Sequence, residues 1–223
     1  MMLKVLCLAM GMSLLVSTAY AQSHLGIEGA CIAGNLPGNS AGGPSEILSQ
    51  TRGPRLAPGG GIWADFRWSD YIDFQPHINI TPKGAEIWQN GQNTGHVHVT
   101  YLDVPLRLMY RVPVGYDDFF FGGGVYGALG LRGTYQVSTN TLPMHDLGGD
   151  IQFNDPDGIT GLHMKPWDAG YTAALSYQFS FGLTLHLDYE HGFVNIAPEG
   201  TGRIQNQGLS LGIGYLFHYN TRD

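Results

Sequence analysis

The sequence predicts an all-β fold, namely an eight-stranded antiparallel up-and-down transmembrane β-barrel with a filled polar lumen. Three observations predict it. Apolar and polar residues alternate through about eight segments, as in strands whose two faces meet different surroundings. Long and short connections alternate between these segments. Only 13% of the 223 residues are charged and 33 are glycine, which is few charges and many glycines for a water-soluble domain.

Residues 1–21 have the pattern of a secretory signal peptide. Lys4 supplies a positive charge, residues 5–15 are apolar, and Ala19 and Ala21 form a small-residue cleavage site. The apolar run is shorter than the roughly 20 residues with which a helix spans a bilayer. We therefore expect an exported protein whose mature part, residues 22–223, is one barrel domain.

The composition of the chain argues against several classes of protein. Acidic residues outnumber basic residues 18 to 11, so the basic surface of a nucleic-acid-binding protein is missing. Cys31 is the one cysteine that remains after the predicted cleavage, so the mature chain cannot form an internal disulfide. No apolar run of helical length follows the signal peptide, and any membrane-spanning segments must therefore be strands.

Eight segments of alternating character predict the strands of the barrel. They are residues 24–34, 60–68, 71–78, 96–112, 119–135, 167–179, 181–190 and 208–218. Long connections are predicted at residues 35–59, 81–95, 138–165 and 191–206, and short ones at residues 69–70, 113–118 and 180. All long connections therefore lie at one end of the barrel. Pro105 cannot donate a hydrogen bond to a neighbouring strand, so we expect a bulge or local irregularity there.

The bulky apolar face of each strand is predicted to point outward, into lipid. The interior of an eight-stranded barrel is just wide enough for side chains, so rows of Phe, Tyr and Leu cannot all fit inside. The predicted lipid-facing residues include Leu183, Leu185, Leu187, Leu209, Leu211 and Ile213.

Aromatic residues collect near both ends of the predicted strands. Two such rings are what the two interfaces of a bilayer favour in a barrel. The ring at the short-turn end contains Trp68, Tyr110, Phe119, Phe121, Phe179, Phe181 and Phe217, and the ring at the long-loop end contains Trp167, Tyr171 and Tyr189.

The opposite faces of the strands carry the ionisable residues, which are therefore predicted to line the lumen. Buried charges must be paired and hydrogen-bonded, and both acids and bases are present, so we expect a salt-bridged plug. The predicted lumen network consists of Glu28, Asp65, Arg67, Asp73, His77, Asp103, Arg107, Arg111, Arg132, His186, Asp188, Glu190 and His218. No cofactor, metal or catalytic site is predicted.

The segment Tyr101-Leu102-Asp103-Val104-Pro105-Leu106 resembles the Tyr-Leu-Glu-Ile-Pro-Leu signature of the PorT-like outer-membrane β-barrel family. Residues 119–130, 189–195 and 212–217 are similar to the fifth, seventh and closing strands of that family. The chain departs from the family at Asp103, where Glu is usual, and in its tail after Tyr219. The resemblance implies an eight-stranded barrel in a Gram-negative outer membrane, with a structural or adhesive role or service to a secretion-type envelope complex, and no catalytic residues.

Two other classes of protein remain open on the sequence. One is a soluble lipocalin-like barrel that binds a small apolar ligand. The other is a lipid-modifying outer-membrane enzyme, for which His186, Asp188, Glu190, His191 and Ser210 could supply a nucleophile, a base and a carboxylate. The expected partners are outer-membrane lipid and an unidentified envelope protein, with no nucleic acid.

Two short patterns suggest metals but fall short of a site. His96 and His98 share a strand face, yet two imidazoles are fewer ligands than a zinc site needs. Residues 154–158, Asn-Asp-Pro-Asp-Gly, lack the length and the final glutamate of a calcium-binding loop. A plain turn and two loop-proximal histidines are the favoured interpretations.

Overall fold

The computed structural model describes residues 23–40, 51–89, 91–138, 146–153, 162–197 and 202–217. The predicted signal peptide, residues 154–158 and His218 lie outside the described residues. The part of the chain that is described contains eleven strands. They are β1 (Ser23–Asn35), β2 (Gly38–Ser40), β3 (Thr51–Arg67), β4 (Ile72–Gln89), β5 (Gln92–Val114), β6 (Asp117–Ser138), β7 (Asp146–Asp150), β8 (Trp167–Gln178), β9 (Leu183–Gly192), β10 (Gly202–Ile204) and β11 (Gln207–Leu216). Within these ranges, no helix is long and apolar enough to cross a membrane.

Eight of the strands form one closed antiparallel ring. Its order is β1, β3, β4, β5, β6, β8, β9 and β11, and β11 pairs with β1 again from Gly26↔Leu216 to Asn35↔Gln207. Each strand thus pairs with its sequence neighbours in the ring, which confirms the predicted up-and-down barrel. Closure leaves no long barrel edge with unpaired backbone groups. Two small additions lie at the long-loop end, where β7 pairs with the last residues of β6, and β2 pairs with β10.

The outer surface carries a continuous apolar band. On β5 the band runs from Tyr110 to Leu102, and the paired residues on β4 run from Ile72 to Ile80. The exposed side chains between them are apolar, as Leu106 and Leu108 illustrate. About nine residues per strand, tilted by about 45°, cross the hydrocarbon of a bilayer. The exposed apolar face therefore has the height of a membrane crossing.

The third connection differs from the prediction. Residues 81–95 were expected to form an irregular loop, but β4 continues to Gln89 and β5 begins at Gln92. A tight turn joins them, and Gly91 has a φ of 81°, which favours glycine. The first connection is also shorter than the predicted residues 35–59, because β3 begins at Thr51. Leu56 and Trp88 are exposed bulky residues in these segments, but the outward residues lack the regular bulky pattern by which the other strands are recognised.

Pro105 causes no bulge, but a local irregularity lies at the predicted place. It interrupts the pairing with β4 between Pro76↔Leu106 and Asn79↔Asp103, but the register is the same on both sides. The irregularity between β5 and β6 falls instead between Thr100 and Tyr101, opposite an extra residue in β6. Pro105 thus costs local hydrogen bonds without shifting the strands.

The polarity of the barrel inverts beyond the apolar band. We call residues 84–89, 92–100, 131–138 and β7 the extension. Apart from Thr94, its buried side chains are apolar, as in a water-soluble β-protein. These side chains join one cluster with the segments that cover the end of the lumen; its members include Leu36, Ala85, Ile87, Val97, Val99, Val137, Ile151, Leu162, Met164, Ile196 and Ile204. The membrane-spanning part is therefore polar inside, and the extension is apolar inside.

Substitution of Leu185 by Arg tests the membrane-facing surface. Leu185 is 45% exposed on the face that would meet lipid. Leu185→Arg should lower the free energy of unfolding by about 2–4 kcal/mol when the protein folds into phospholipid bilayers from urea. Tyr116→Arg is the control, because Tyr116 lies in a turn outside the band and should change stability by less than about 0.5 kcal/mol. Equal effects at the two positions would contradict the placement of the band.

Candidate functional site

The lumen near the short turns is held by one arginine and two aspartates. Nε of Arg111 on β5 donates a hydrogen bond of 3.0 Å to Oδ2 of Asp73 on β4, and its Nη2 contacts the same oxygen. Asp65 on β3 lies 4.0 Å from Nη2 of Arg111 and accepts a hydrogen bond of 3.1 Å from Nε2 of Gln75. The guanidinium lies 5.4 Å from the centre of the Phe120 ring. These contacts of the Arg111 guanidinium join β3, β4 and β5, and the Phe120 ring adds β6.

The middle of the lumen holds a chain of alternating acids and bases. Nη1 of Arg107 donates to Oδ1 of Asp188 at 2.9 Å, and Oδ2 of Asp188 is 2.7 Å from Nδ1 of His186. Nε2 of His186 lies 3.7 Å from one oxygen of Glu28, whose other oxygen is 3.1 Å from Nδ1 of His77. The five residues come from β5, β9, β1 and β4. The chain therefore crosses the barrel and ties opposite walls together.

The lumen next to the extension is organised around one lysine. Nζ of Lys83 lies 3.0 Å from Glu190, 3.4 Å from Asp103 and 3.8 Å from Asp168. The ammonium also lies 4.2 Å from the centre of the Tyr126 ring, and the Tyr126 hydroxyl donates to Asp168 at 2.9 Å. Lys83, Asp103 and Asp168 are almost fully buried. The Lys83 ammonium group thus lies close to three carboxylates in a part of the lumen that bulk water does not reach.

The structure brings most of the predicted lumen residues together. It buries or nearly buries the side chains of Glu28, Asp65, Asp73, His77, Asp103, Arg107, Arg111, His186, Asp188 and Glu190, and it leaves Arg67 half-buried. His218 is outside the described residues.

The placement of Arg132 in the lumen was wrong. Its side chain is 78% exposed and lies 4.0 Å from Asp150 on the outer surface. The cause is the bulge in β6: Thr100 pairs with Arg132 and Tyr101 pairs with Gly130, so Leu131 is an extra residue that reverses the alternation.

Sequence reasoning missed several members of the network, and Gln75 beside Asp65 is one of them. Lys83 was assigned to a loop, although it continues the odd-numbered inward row of β4 that contains Asp73 and His77. Asp168 lay on the polar face of a predicted strand but was not included. Asn206, whose side-chain amide donates to Asp168 at 2.8 Å, was assigned to a loop. Tyr126 was missed because it is an aromatic residue on a strand face expected to hold small ones. The alternation of polar and apolar residues continues past residue 80, and this signal would have placed Lys83 in the lumen.

The predicted lipid-facing and aromatic residues lie on the outer surface or at its edge. Leu185, Leu187, Leu209, Leu211 and Ile213 are exposed, and Leu183 is half-buried. Among the predicted ring residues, Phe119, Phe179 and Tyr189 are half-buried, while those that are exposed are Trp68, Tyr110, Phe121, Phe181, Phe217, Trp167 and Tyr171. Neighbouring rings stack, with 5.4 Å between the centres of Phe179 and Phe181.

Side chains and close-packed glycines fill the lumen. A cavity of about 30 Å³ lies beside Arg107 and His186, which is room for one or two water molecules. A Cβ on Gly214 would lie 2.5 Å from the Trp63 ring, and a Cβ on Gly212 would lie 2.2 Å from the His186 ring. These two glycines therefore face bulky interior side chains, beside which a larger residue would not fit.

The residues considered for an enzyme do not assemble as a catalytic set. The Ser210 hydroxyl donates to Asp188 at 3.5 Å, and His186 hydrogen-bonds to the same carboxylate. All three side chains face the packed lumen. His191 packs against Tyr171 with the two rings tilted and 5.3 Å between their centres. In the described part of the chain, no group of three potential ligands is arranged to hold a metal ion.

A closed strand ring with an apolar exterior and a charged, filled interior defines an integral membrane β-barrel. Residues 20–197 match the model of the family described as outer membrane protein beta-barrel domain, and the chain belongs to that family. The protein is thus an outer-membrane barrel. No curated protein matches the sequence.

Several solved outer-membrane proteins are similar in fold. OprG from Pseudomonas aeruginosa is 11% identical with a TM-score of 0.46, and the match covers 89% of this chain and 97% of OprG. Ail, the attachment invasion locus protein of Yersinia pestis, is 10% identical with a TM-score of 0.43, covering 87% and 97%. Neisserial surface protein A is 10% identical with a TM-score of 0.42, covering 86% and 96%. The likeness concerns the fold alone.

Substitution of Gly212 by Val tests the packing of the lumen. The new side chain would collide with His186 and with the backbone oxygen of Gly29, so Gly212→Val should lower the free energy of unfolding by about 1–3 kcal/mol. Gly127→Val is the matched control, because a Cβ there meets nothing within 4 Å. The temperature at which the compact band of the folded barrel disappears in a denaturing gel measures the stability of both variants. A stable Gly212→Val variant would mean that the lumen has free space.

Removal of the Lys83 charge tests the cluster next to the extension. Lys83→Met leaves three buried carboxylates without a cation, and should cost about 3–5 kcal/mol of unfolding free energy. Adding Glu190→Gln to Lys83→Met should cost less than the sum of the two single changes, because the two residues contact each other. Urea unfolding of the four proteins gives this comparison. Additive effects would contradict the pairing.

Proposed function

We propose that this protein is a non-enzymatic barrel of the PorT-like group that works through its outward-facing end, in a structural or adhesive role or as an accessory of an envelope complex. The observation that carries the proposal is the contrast between the two parts of the molecule. The lumen is filled and capped by an apolar cluster, which argues against transport through the barrel. The extension stands clear of the apolar band as ordered, paired strands.

The hexapeptide Tyr101–Leu106 supports the assignment to the PorT-like group. Its odd residues, Tyr101, Asp103 and Pro105, are buried, and its exposed residues Val104 and Leu106 belong to the apolar band. Asp103 contacts Lys83, a role that a glutamate at the same position could also fill. The hexapeptide thus supplies Asp103 to the lumen network, and this contact accounts for an acidic residue at its third position.

The orientation of the barrel follows from the general rule for such proteins. Outer-membrane barrels have short turns toward the periplasm and longer segments toward the outside. The turns at residues 69–70, 115–116 and 179–182 are tight, whereas the extension and the longest connections share the other end. The extension would therefore be at the cell surface, where it can meet a partner.

Labelling of single cysteines in whole cells tests this function. In a Cys31→Ser background, the Gln92→Cys variant should react with a membrane-impermeant maleimide in intact cells, because residue 92 lies at the tip of the extension. The Tyr116→Cys variant should react only after the outer membrane is permeabilised. The opposite result would place the extension in the periplasm and would contradict a role at the cell surface.

A further inference from the structure

The outer face of the extension carries an open groove. It is lined by residues 134–136 of β6, residues 148–150 of β7 and His96 of β5, and its volume is about 460 Å³. The strand register explains the lining, because His96 pairs with Gln136, and Gln136 pairs with Gly148. The volume lies within the range of small-ligand sites, roughly 300–1,000 Å³. We call this feature the lateral groove.

The lateral groove lies just beyond the phospholipid head groups of the membrane. Leu102↔Leu129 is the last apolar pair of the band on these strands, and Thr100↔Arg132 is the first polar pair beyond it. His96 is about six residues beyond Leu102, a rise of about 15 Å for a strand tilted by about 40°. The polar layer of a bilayer begins directly beyond its hydrocarbon. That layer is about 5–8 Å deep on each side, so the groove opens sideways just beyond the phospholipid head groups, at the height of the sugars of a glycolipid.

The polar groups of the lateral groove suit hydroxyl-rich rings. Thr134 can donate and accept through its hydroxyl, Gln136 through its amide, and Asp150 accepts through its carboxylate. Gly148 and Gly149 are exposed and carry no side chain, so a ring can approach the backbone. The arrangement offers mixed donors and acceptors without a row of cations.

The charges around the groove are balanced at neutral pH. Burial, and then the nearby Arg55 guanidinium, lower the pKa of His96 below its ordinary value, against the smaller opposing effect of Glu86. Burial, Arg55 and His96 likewise lower the pKa of His98. Both imidazoles are therefore mostly neutral at pH 7. Arg132 faces Asp150, so the groove does not have the excess positive charge that a phosphate site requires.

We propose that the lateral groove binds a sugar of the glycolipid head group in the outer leaflet. The inference rests on the orientation given under the proposed function, because only that orientation brings the groove to the outer leaflet. The ligand class follows from three features together: the height beyond the apolar band, the sideways opening, and the neutral mixture of donors and acceptors. The groove would fix the barrel to its surrounding lipid through hydrogen bonds rather than through charge.

Native mass spectrometry of the barrel in nanodiscs tests the proposal. One nanodisc contains phospholipid with lipopolysaccharide and the other contains phospholipid alone, to which the delipidated core oligosaccharide is added. The Thr134→Val and Gln136→Leu double variant removes hydrogen bonds with little change in shape. Retention of lipopolysaccharide should fall about tenfold in this variant, the effect of losing two hydrogen bonds. Gln152→Leu, an exposed position outside the groove, is the matched control and should retain as much as the wild type.

Each outcome decides the proposal. Equal retention by the wild type and the double variant, or an equal loss in the control, overturns it; in that case the groove is an ordinary hydrated surface. Binding of the free oligosaccharide without retention of lipopolysaccharide would overturn the lipid source. The heat-dependent gel shift of every variant shows that it is folded. If the groove fails while cysteine labelling still places residue 92 outside, the proposed function stands; if the labelling is reversed, both fall.

Discussion

Hydrocarbon around the barrel is the constraint on which the rest of the structure depends. Lipid offers no hydrogen bonds, so every backbone group within the bilayer must find a partner inside the protein. The closed ring of eight strands meets this demand. The same hydrocarbon accepts the bulky side chains, which leaves the narrow interior to the polar ones. A charge that enters this interior must then meet an opposite charge, and Arg111, Arg107 and Lys83 each do so.

The change of polarity along β4 and β5 follows from the change of surroundings. From Asp73 to Lys83, through the band and just past its end, the odd-numbered residues of β4 are polar and face the lumen. Beyond the band, the same row becomes Ala85 and Ile87, because water now lies outside and an apolar core is the stable arrangement. One continuous strand, from Ile72 to Gln89, is thus surrounded by lipid over one part and by water over the other. The outward rows reverse in the opposite sense and supply the polar wall of the lateral groove.

The sequence predicts the barrel because its strongest signal, period-two alternation, comes directly from the constraint of the bilayer. Strand number, ring order and the outward face of Leu185 all follow from that signal. The signal weakens where the outward residues are no longer bulky, and the hairpin at residues 81–95 was missed for this reason. Arg132 was misplaced because one inserted residue reverses the alternation, and a bulge at Leu131 has no marker in composition. Which acid meets which base depends on barrel stagger, which period-two alternation does not encode.

The contacts of the lumen connect distant parts of the chain. Arg107 and Asp188 are 81 residues apart, and Glu28 on β1 meets His186 on β9. The first and last strands of the ring, β1 and β11, are also partners. A partly inserted sheet would therefore expose charged side chains without partners and unpaired strand edges to the membrane at the same time. We therefore expect concerted assembly. The early strands stay in a polar environment until β11 is available, and the closed barrel then enters the bilayer as a unit.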